Sequence, residues 1–581
     1  MTAPARLGRR LWMVAVGAVA LGAAIVQRPS PAGYDEHFDV LIRGGRVIDG
    51  TGNPWVRADV GLRDGRIAAV GLLPDATADR TIDATGRIVA PGFIDIHSHA
   101  DDGSARIGGA TIRTDTLPRK AMPNIVAQGV TTVVVNHDGR SPWPIAAQRD
   151  RIDRQGIGAH VALMIGHGEV RRQVMGDDVE RAATPDEVDR MRALVRQGLE
   201  EGAVGLSAGL EYAPGRWSTL DEVAALVAEL TPWDAVYISH QRSEGSDPMW
   251  YWPSLHDAAP PTLLDAVLET IEIGRRSGAR VVASHIKAKG AHYWGSSQAA
   301  IERIEQARAE GVQVFADQYP YPTSGSDGST VLVPGWALQD EEAGGPDDRR
   351  PPAEVLRANL ERPEVAAAIR RDVTHEIRRR GGADRVVVFE YPDSSVVGLT
   401  LAEVAERWEL DAVEAALELQ LRGDPERRGG GRLRGFSMSE ADVERYAALP
   451  WVATASDGGL AHPDDPFSVH PRFYGTFPRK IAWYARDRGV LSVEEAIRSM
   501  TSLPALLMGF RDRGQLREGF VADVVVFDLA TLEDRTTFFE PHAYPSGIEH
   551  VLVAGEAVVD DGELTWALPG RVIRNARSAA H

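Results

Sequence analysis

Four histidines stand at the ends of apolar runs, where a fold can bring reactive side chains together. His97 and His99 lie two residues apart, and His240 and His285 each end a further run, so four of the 16 histidines share this position. Side chains two apart on a strand point to the same face, so His97 and His99 can reach one ion. A single such pair is equally typical of ordinary histidines. Because histidine is unusual in buried runs unless it has a partner, the repeated pattern predicts a metal site.

One carboxylate ends another apolar run in the same way. Asp457 comes directly after Thr454–Ser456 and before two glycines. Beside a water activated by a metal, its carboxylate could accept the water's proton and pass it to a leaving amine. The alternative is a turn residue, because Asp followed by Gly is common in turns. The local pattern leaves both interpretations open.

The composition limits the possible functions. The chain of 581 residues has 64 Lys+Arg against 83 Asp+Glu, a formal net charge of −19, and no cysteine. An acidic surface gains nothing from counterion release on a phosphate backbone, so no nucleic-acid partner is expected. The absence of cysteine excludes disulfides, cysteine-bound zinc, iron–sulfur clusters and thiolate catalysis. A metal must therefore be bound by histidines and carboxylates.

The first 33 residues are typical of an export signal. Three arginines lie within Arg6–Arg10, the run Leu11–Val26 carries no charge, and the Pro-containing stretch Arg28–Gly33 follows. Sixteen apolar residues are marginal for crossing about 30 Å of hydrocarbon. We expect an exported protein, periplasmic or extracellular, with the segment either cleaved or kept as a membrane anchor; the alternative is a buried core helix.

The elements that must position these side chains follow from the hydrophobic pattern. Residues 34–90 alternate apolar and polar side chains, which predicts β-hairpins. After Pro91, short apolar runs alternate with longer amphipathic stretches, as in parallel strands joined by helices. Eight buried strands are predicted, at Phe93–His97, Val130–Asn136, His160–Gly166, Ala203–Ala208, Val236–His240, Arg280–His285, Val312–Asp317 and Trp451–Ser456. Eight β–α alternations predict an α/β fold with a TIM barrel.

The same pattern predicts the domain boundaries. The barrel is assigned to 91–510, and the long interval between its last two strands predicts an inserted subdomain at about 326–450. Strand signals return near the end of the chain. We therefore expect a small β-sandwich domain assembled from 34–90 and 511–575.

Several motifs carry a resemblance to a known family: Pro91–His99, Gly205–Gly215, the run ends at His240 and His285, Asp317–Tyr321, Ser456–Gly458, His470–Arg479 and Gly519–Asp528. Together they resemble the amidohydrolase superfamily and span nearly the whole mature chain. The motifs beginning at Gly205, Asp317 and His470 are similar to the D-aminoacylase (N-acyl-D-amino-acid deacylase) branch. The resemblance implies a TIM barrel with a composite β-sandwich, zinc held by the histidines, and Asp457 as the general acid/base.

The resemblance also implies a ligand set. His240 and His285 would hold a tight zinc, and His97 and His99 would frame a second, weaker position. The branch has a cysteine after the second strand, where this chain has Asp138, with His137 as the neighbouring option. A carboxylate is a harder ligand than a thiolate, so zinc should bind less tightly and Mn or another divalent ion compete better.

Substrate recognition would require cations for a carboxylate. Arg472 matches an arginine of the family motif and could bind a carboxylate through two hydrogen bonds. Lys287 could add charge or polarise the scissile carbonyl, Tyr319 could donate to the oxyanion, and Tyr212 could line the pocket. Without the resemblance, a surface ion pair or a core tyrosine explains each of them equally well.

The sequence therefore predicts a metal-dependent hydrolase that releases a D-amino acid from a small N-acyl-D-amino acid. A cyclic amidase, an acyl-dipeptide hydrolase and a degenerate binding protein without activity are the alternatives. Lysine-bridged binuclear centres of the cyclic amidases are disfavoured, since no lysine occurs between Lys120 and Lys287. The sequence leaves the side-chain and acyl preference, the number of metals and the oligomeric state undetermined.

Overall fold

The computed structural model describes residues 37–101, 111–325, 330–340 and 349–578. The predicted export signal, 1–33, lies outside these ranges. Within them, no helix has both the length and the apolar character needed to cross a membrane.

Eight parallel strands form the barrel, and each falls on one of the predicted runs. They are β1 (Phe93–Asp95), β2 (Val130–Val135), β3 (His160–Gly166), β4 (Gly205–Gly209), β5 (Val236–His240), β6 (Arg280–Ala283), β7 (Val314–Gln318) and β8 (Val452–Thr454). They neighbour one another in chain order. A short ninth strand of the same sheet, Val572–Ile573, pairs with His160–Gly166. Beyond the ends of β1 and β8, Ser98–His99 pairs in parallel with Gly458–Gly459 and closes the cylinder. The predicted TIM barrel is confirmed.

Amphipathic helices cover the barrel. They are Leu117–Lys120, Pro123–Val126, Ile145–Gln155, His167–Met175, Pro185–Glu200, Leu220–Ala228, Leu263–Ser277, Ser297–Ala309, Glu440–Ala447, Arg472–Arg479, Val493–Ser499 and Ser502–Met508, with a π-helix at Lys480–Asp487. Threonine caps begin several of them: Thr184 and Thr262 form capping boxes, and the Thr219 side chain accepts from a first-turn amide. Each cap satisfies an amide that the first helical turn leaves without a partner.

Both ends of the chain contribute to a second sheet of nine strands. Its strands are His37–Val47, Val56–Arg63, Arg66–Gly71, Thr77–Asp83, Ile88–Pro91, Val524–Phe527, Ile548–Val553, Glu556–Asp560 and Glu563–Leu564. The two ends meet where Val524–Phe527 runs antiparallel to Ile88–Pro91. Val60 and Val526 lie in one shared core, so neither end could bury its apolar face alone.

The interval between β7 and β8 forms a subdomain with its own core. It contains the helices Pro352–Leu360, Pro363–Arg379, Leu401–Arg407 and Ala412–Arg422 and the paired strands Val386–Glu390 and Arg432–Gly435. Leu356, Ile369, Val388 and Leu417 pack together in that core. The carboxyl end of the helix Pro363–Arg379 reaches the mouth of the barrel, where Arg379 lines a cavity of about 260 Å³.

Candidate metal and substrate site

The predicted ligands and the predicted acid/base lie together at the carboxyl ends of the barrel strands. His97 and His99 follow β1, Asp138 follows β2, His240 ends β5, and His285 and Asp457 follow β6 and β8. In a TIM barrel these ends converge on one face, where catalytic groups are found. The structure thus brings together side chains that are up to 360 positions apart.

Three of these side chains form a compact group with the spacing of metal ligands. His240 Nδ1 lies 2.9 Å from His285 Nε2, and each nitrogen lies 3.8 Å from Asp138 Oδ1. Ligand atoms around a tetrahedral zinc, with bonds of about 2.0–2.1 Å, stand about 3.3 Å apart. The three atoms therefore fit a single divalent ion with little rearrangement.

A second group shares the same carboxylate. His97 Nε2 lies 3.6 Å from Asp138 Oδ1, and His99 Nε2 lies 3.6 Å from Asp138 Oδ2. His97 Nε2 and Asp138 Oδ1 are buried and have no hydrogen-bond partner among the described residues. Buried polar atoms are rarely left unpaired, and a metal would satisfy both. The residues present thus fit a metal centre, with Asp138 placed to serve one or two ions.

The charges of the site favour a cation. Burial and nearby His137 hold the pKa of His97 well below its usual value, so its imidazole is neutral and able to act as a ligand. Burial opposes ionisation of Asp138, but His240 and His285 outweigh it and hold the Asp138 pKa well below its usual range. Burial and the positive charge of Lys287 lower the pKa of His285. The carboxylates of Asp457, Asp138 and Glu244 outweigh both and raise this pKa to about 10. The surrounding carboxylates therefore stabilise added positive charge.

Carboxylates behind the histidines fix which ring nitrogen faces the centre. Glu211 Oε2 lies 2.8 Å from His240 Nε2, and Glu244 Oε1 lies 3.1 Å from His285 Nδ1. Glu211 accepts from the outward nitrogen of His240 and leaves the inward one for a metal, and Glu244 lies beside the outward nitrogen of His285. Sequence analysis gave Glu211 no role, although it lies within the motif Gly205–Gly215.

A serine fixes which ring nitrogen of His97 faces the centre. Ser284 Oγ lies 2.5 Å from His97 Nδ1 and donates to Asp317 Oδ2 at 2.8 Å. Since the only hydroxyl proton is given to Asp317, His97 Nδ1 must be the donor to Ser284. This leaves His97 Nε2 as the free ligand atom. Asp317 lies within a motif and Ser284 precedes His285, but neither could be linked to His97 by its sequence position.

The backbone is strained at three of the residues in the site. Asp138, His285 and Asp457 have φ values of 57°, 34° and 48°, in the left-handed region that is unusual for residues other than glycine. Gly209 makes room for the Asp138 loop, because a Cβ there would lie 2.3 Å from the Asp138 carbonyl oxygen. Such strain persists where the surrounding structure demands it, and it is concentrated at functional sites.

Asp457 faces both the histidines and Arg472. Its Oδ1 lies 3.1 Å from His99 Nε2, and its Oδ2 lies 2.8 Å from Arg472 Nη1. Burial opposes ionisation, but Arg472 and His285 outweigh it and hold the pKa of Asp457 well below its usual range. The carboxylate is therefore ionised at neutral pH, as a general base must be.

The other predicted substrate residues line the same cavity. Tyr319 is buried, its hydroxyl has no hydrogen-bond partner among the described residues, and burial raises its pKa to about 12, so it remains a donor. Lys287 forms an ion pair with Glu244 and lies 2.8 Å from His285 Nδ1. The Tyr212 ring packs 4.2 Å from that of His240.

His137, the other option for the missing cysteine, takes a different place. Its ring stacks on His97 with the centroids 4.1 Å apart, and its Nε2 bonds to the Val134 carbonyl oxygen at 3.1 Å. The metal-compatible groups among the described residues include Asp138 and not His137. Asp138, and not His137, thus contributes a candidate ligand to the centre.

Four cations of the cavity were missed by sequence analysis, among them Arg140, which lies two positions after Asp138. Lys289 follows β6, Arg379 ends the helix Pro363–Arg379 of the inserted subdomain, and Arg380 follows it. Lys289 is two positions beyond Lys287, which was a usable signal. Arg379 and Arg380 lie in a run of three arginines, which by itself indicates only a charged helix end.

Comparison with known proteins gives the same picture. The model of the amidohydrolase family matches residues 80–241 and 353–559. An N-acyl-D-glutamate deacylase of Alcaligenes xylosoxydans xylosoxydans is 35% identical, over 94% of this chain and 98% of that protein. The resemblance inferred from the motifs is confirmed.

Two solved structures are similar over nearly the full length. The N-acyl-D-glutamate deacylase of Bordetella bronchiseptica, in complex with zinc and a phosphonate that mimics the tetrahedral intermediate, is 33% identical, with a TM-score of 0.69 over 93% of this chain and 100% of that one. A D-aminoacylase studied for its binuclear metal centre is 32% identical, with a TM-score of 0.68 over 92% of this chain and 100% of that one.

Proposed function

The chain belongs to the amidohydrolase family, and from that premise we propose that it is a metal-dependent hydrolase that cleaves N-acyl-D-amino acids to a carboxylate and a free D-amino acid. The proposal is carried by one observation, the group of Asp138, His240 and His285 with ligand spacing beside the ionised Asp457. The similarity to N-acyl-D-amino-acid deacylases over nearly the whole chain supports the substrate class.

The metal would be held by His97, His99, Asp138, His240 and His285, with zinc as the ion that the relatives support. When bound, a divalent ion would supply Lewis acidity, which lowers the pKa of a water to about 7 and polarises a carbonyl group. Because Asp138 offers oxygen instead of sulfur, we expect Mn to compete with zinc in this protein.

Asp457 moves the proton. Its Oδ1 atom lies on the side of the histidines and accepts a proton from the attacking water. After the tetrahedral intermediate forms, the same carboxyl group returns the proton to the departing amino group. Arg472 holds the other oxygen, Oδ2, and thereby keeps Oδ1 turned toward the reacting atoms.

The remaining polar groups bind and orient the substrate. Arg472 also lies over the Tyr319 ring, with its Cζ 4.6 Å from the ring centroid, so both groups face the same part of the cavity. The guanidinium is placed for the α-carboxylate. The free Tyr319 hydroxyl donates to the oxyanion that develops on the scissile carbonyl.

A hydrolysis panel tests the proposal. The purified chain, supplemented with Zn or Mn, is incubated with N-acetyl-D-amino acids, their L enantiomers, a hydantoin and an N-acyl dipeptide. We expect amino acid release from the D series. Hydrolysis of the hydantoin or the dipeptide alone would favour those activities, and no hydrolysis with either metal would favour a binding protein.

We further propose that the protein acts outside the cytoplasm. The basic cluster Arg6–Arg10 followed by the uncharged run Leu11–Val26 supports export. N-terminal sequencing of protein recovered from cell fractions tests this. Recovery of the full-length chain from the cytoplasmic fraction would contradict it.

A further inference from the structure

The motif His470–Arg479 begins with a histidine to which the proposed reaction gives no role. His470 is fully buried and is not among the described residues that line the cavity, so it does not touch the substrate. It stands two positions before Arg472, the arginine assigned to the α-carboxylate. A buried imidazole needs partners for its ring nitrogens, and those partners indicate what the residue does.

Both ring nitrogens of His470 are paired. Nδ1 lies 3.0 Å from the backbone nitrogen of Arg472, and Nε2 lies 3.2 Å from the Thr323 carbonyl oxygen. A backbone amide can only donate and a carbonyl oxygen can only accept, so Nδ1 is the acceptor and Nε2 carries the proton. Burial and the positive charges of Arg434 and Arg472 hold the pKa of His470 well below its usual value, which keeps the ring in this neutral form.

The first of these hydrogen bonds fixes the start of the helix that carries the arginine. The helix begins at Arg472, and the first amides of a helix have no acceptor within the helix itself. His470 supplies the missing acceptor. The Arg472 side chain then leaves a fixed backbone, with Nη1 2.8 Å from Asp457 Oδ2 and Cζ 4.6 Å from the centroid of the Tyr319 ring.

The second hydrogen bond reaches the loop that follows β7. Thr323 lies in this loop, four positions after Tyr319. Its own hydroxyl donates to the carbonyl oxygen of Gly435 at 2.7 Å, which ties the loop to the inserted subdomain. One imidazole therefore joins the helix that begins at Arg472 to the loop that begins at Tyr319.

Aromatic rings hold the imidazole in this orientation. The rings of Tyr321 and Phe538 stand nearly perpendicular to that of His470, with centroids 5.3 Å and 5.6 Å away, and the Tyr319 ring lies at 6.2 Å. Perpendicular ring pairs at these distances are favourable. Because the ring is packed on its sides and bonded at both nitrogens, a change in its position would move the helix and the loop together.

We propose that His470 is a positioning residue that holds Arg472 and Tyr319 in one fixed arrangement, so that the α-carboxylate and the scissile carbonyl of the substrate are bound at the correct separation. This inference rests on the proposed function, in which Arg472 binds the carboxylate and Tyr319 donates to the oxyanion. His470 acts only through these two groups. A misplacement of about 1 Å is enough to lower a rate by about 10²-fold.

Two matched substrates test the proposal on the protein supplemented with Zn or Mn. N-acetyl-D-alanine and N-acetyl-D-alaninamide differ only in the group that Arg472 is assigned to bind, which is a carboxylate or a neutral carboxamide. In the original protein we expect kcat/KM for the acid to exceed that for the amide by about 10- to 100-fold, as for a hydrogen bond to a charged group. In His470→Ala we expect this ratio to fall by about tenfold, because the guanidinium is no longer held at the carboxylate. A purely structural loss would lower both substrates equally.

Conservative variants separate the two hydrogen bonds of His470. In His470→Asn the side-chain oxygen can accept from the amide two residues on, as in an Asx-turn, so we expect the acid-to-amide ratio to be largely restored. In His470→Gln the longer side chain can still donate to Thr323 but leaves the Arg472 amide without its acceptor, so the ratio should stay low. If His470→Ala does not fold, the contrast between these two variants provides the test.

His542→Ala is the matched control. His542 Nδ1 lies 3.1 Å from the Tyr474 hydroxyl and Nε2 lies 2.8 Å from the Phe467 carbonyl oxygen, so this histidine also joins the helix Arg472–Arg479 to a carbonyl group, but through Tyr474. We expect its acid-to-amide ratio to equal that of the original protein. Thermal unfolding temperature and bound metal are measured for every variant.

The outcomes separate this inference from the proposed function. Hydrolysis of N-acetyl-D-alanine with an acid-to-amide ratio near one in the original protein overturns the inference and leaves the proposed function standing. So does a ratio that is unchanged in His470→Ala, that falls equally in His542→Ala, or that is the same in the Asn and Gln variants. Absence of hydrolysis of every N-acyl-D-amino acid overturns both.

Discussion

Each end of the barrel has a cavity, and the two cavities differ in volume and in whether their polar atoms have partners. The cavity at the carboxyl ends of the strands measures about 260 Å³, and the one at the opposite end measures about 760 Å³. The larger cavity is also rich in arginine. Volume and charge alone would therefore select the wrong end.

Several polar groups of the larger cavity have partners within the protein. His160 Nε2 and Arg513 Nη1 each lie 3.2 Å from Asp523, and Arg66 donates to the Gly519 carbonyl oxygen at 2.7 Å. None of the metal-compatible groups among the described residues includes a residue that lines this cavity. At the mouth, in contrast, the ligand atoms His97 Nε2 and Asp138 Oδ1 are buried and have no hydrogen-bond partner within the described part of the chain. The difference indicates that unpaired histidine and carboxylate atoms with ligand spacing mark the reactive end, while the ion pairs of Asp523 at the opposite end stabilise the fold.

Replacing the carboxylate at the mouth gives the largest expected effect on activity. Asp457→Asn keeps the shape but removes the proton acceptor, so we expect kcat to fall by about 10²- to 10⁴-fold. Bound metal and the thermal unfolding temperature should remain near those of the unchanged protein. Near-normal turnover on N-acetyl-D-amino acids would remove Asp457 from its role.

The same substitution at the opposite end should act on stability instead. Asp523→Asn leaves His160 and Arg513 without their shared anion, so we expect the free energy of unfolding to drop by about 3–5 kcal/mol. Urea denaturation measures this, and kcat of the folded fraction should stay within a factor of about two. A large loss of kcat with unchanged stability would erase the contrast between the two ends.

A smaller effect is expected from a residue that contacts a metal ligand but is not a ligand itself. Glu211→Gln weakens the hydrogen bond that orients His240, so we expect metal affinity to fall by about 10- to 100-fold. Competition with a chelator measures the affinity. The exposed Glu200, changed to Gln, is the matched control. Equal affinity in both variants would show that Glu211 does not position the ligand.

A buried lysine away from both ends should show the smallest effect, visible only through pH. Lys480 donates to the Ala447 carbonyl oxygen at 2.7 Å, and burial lowers its pKa to about 7. Between that value and the unfolded pKa near 10.4, the unfolded state binds more protons, so this group's contribution to stability rises with pH. The free energy of unfolding should therefore increase from pH 7 to pH 10 in the original protein relative to Lys480→Met. Parallel curves for the two proteins would contradict this.

The candidate ligands at the barrel mouth could be predicted from the sequence because the carboxyl ends of the strands converge in a barrel. The runs ending at His240 and His285 could be recognised from hydrophobic periodicity alone, and convergence follows from eight parallel strands. The strands themselves are shorter than the apolar runs: β6 stops at Ala283, and His285 adopts a positive φ instead of continuing it. An apolar run in the sequence indicates which residues are buried, and the buried segment is longer than the part that forms hydrogen bonds with neighbouring strands.

Contacts made by the inserted subdomain could not be predicted in the same way. Arg379 reaches the cavity only because its helix packs in a particular direction, and sequence spacing does not fix that direction. The choice between His137 and Asp138 likewise depended on local backbone conformation, since Asp138 has a φ of 57° and turns its carboxylate inward. The Ser284 link between His97 and Asp317 joins three different chain segments.

A zinc titration of chelator-treated protein tests most directly whether hydrolysis depends on a metal at the barrel mouth. Bound zinc is measured on the same samples as the release of D-amino acid from N-acetyl-D-glutamate and N-acetyl-D-glutamine. We predict no turnover without metal, and a rate that rises in proportion to zinc bound at the first site. A full rate in the metal-free protein, or stoichiometric zinc without hydrolysis of either compound, would contradict the account.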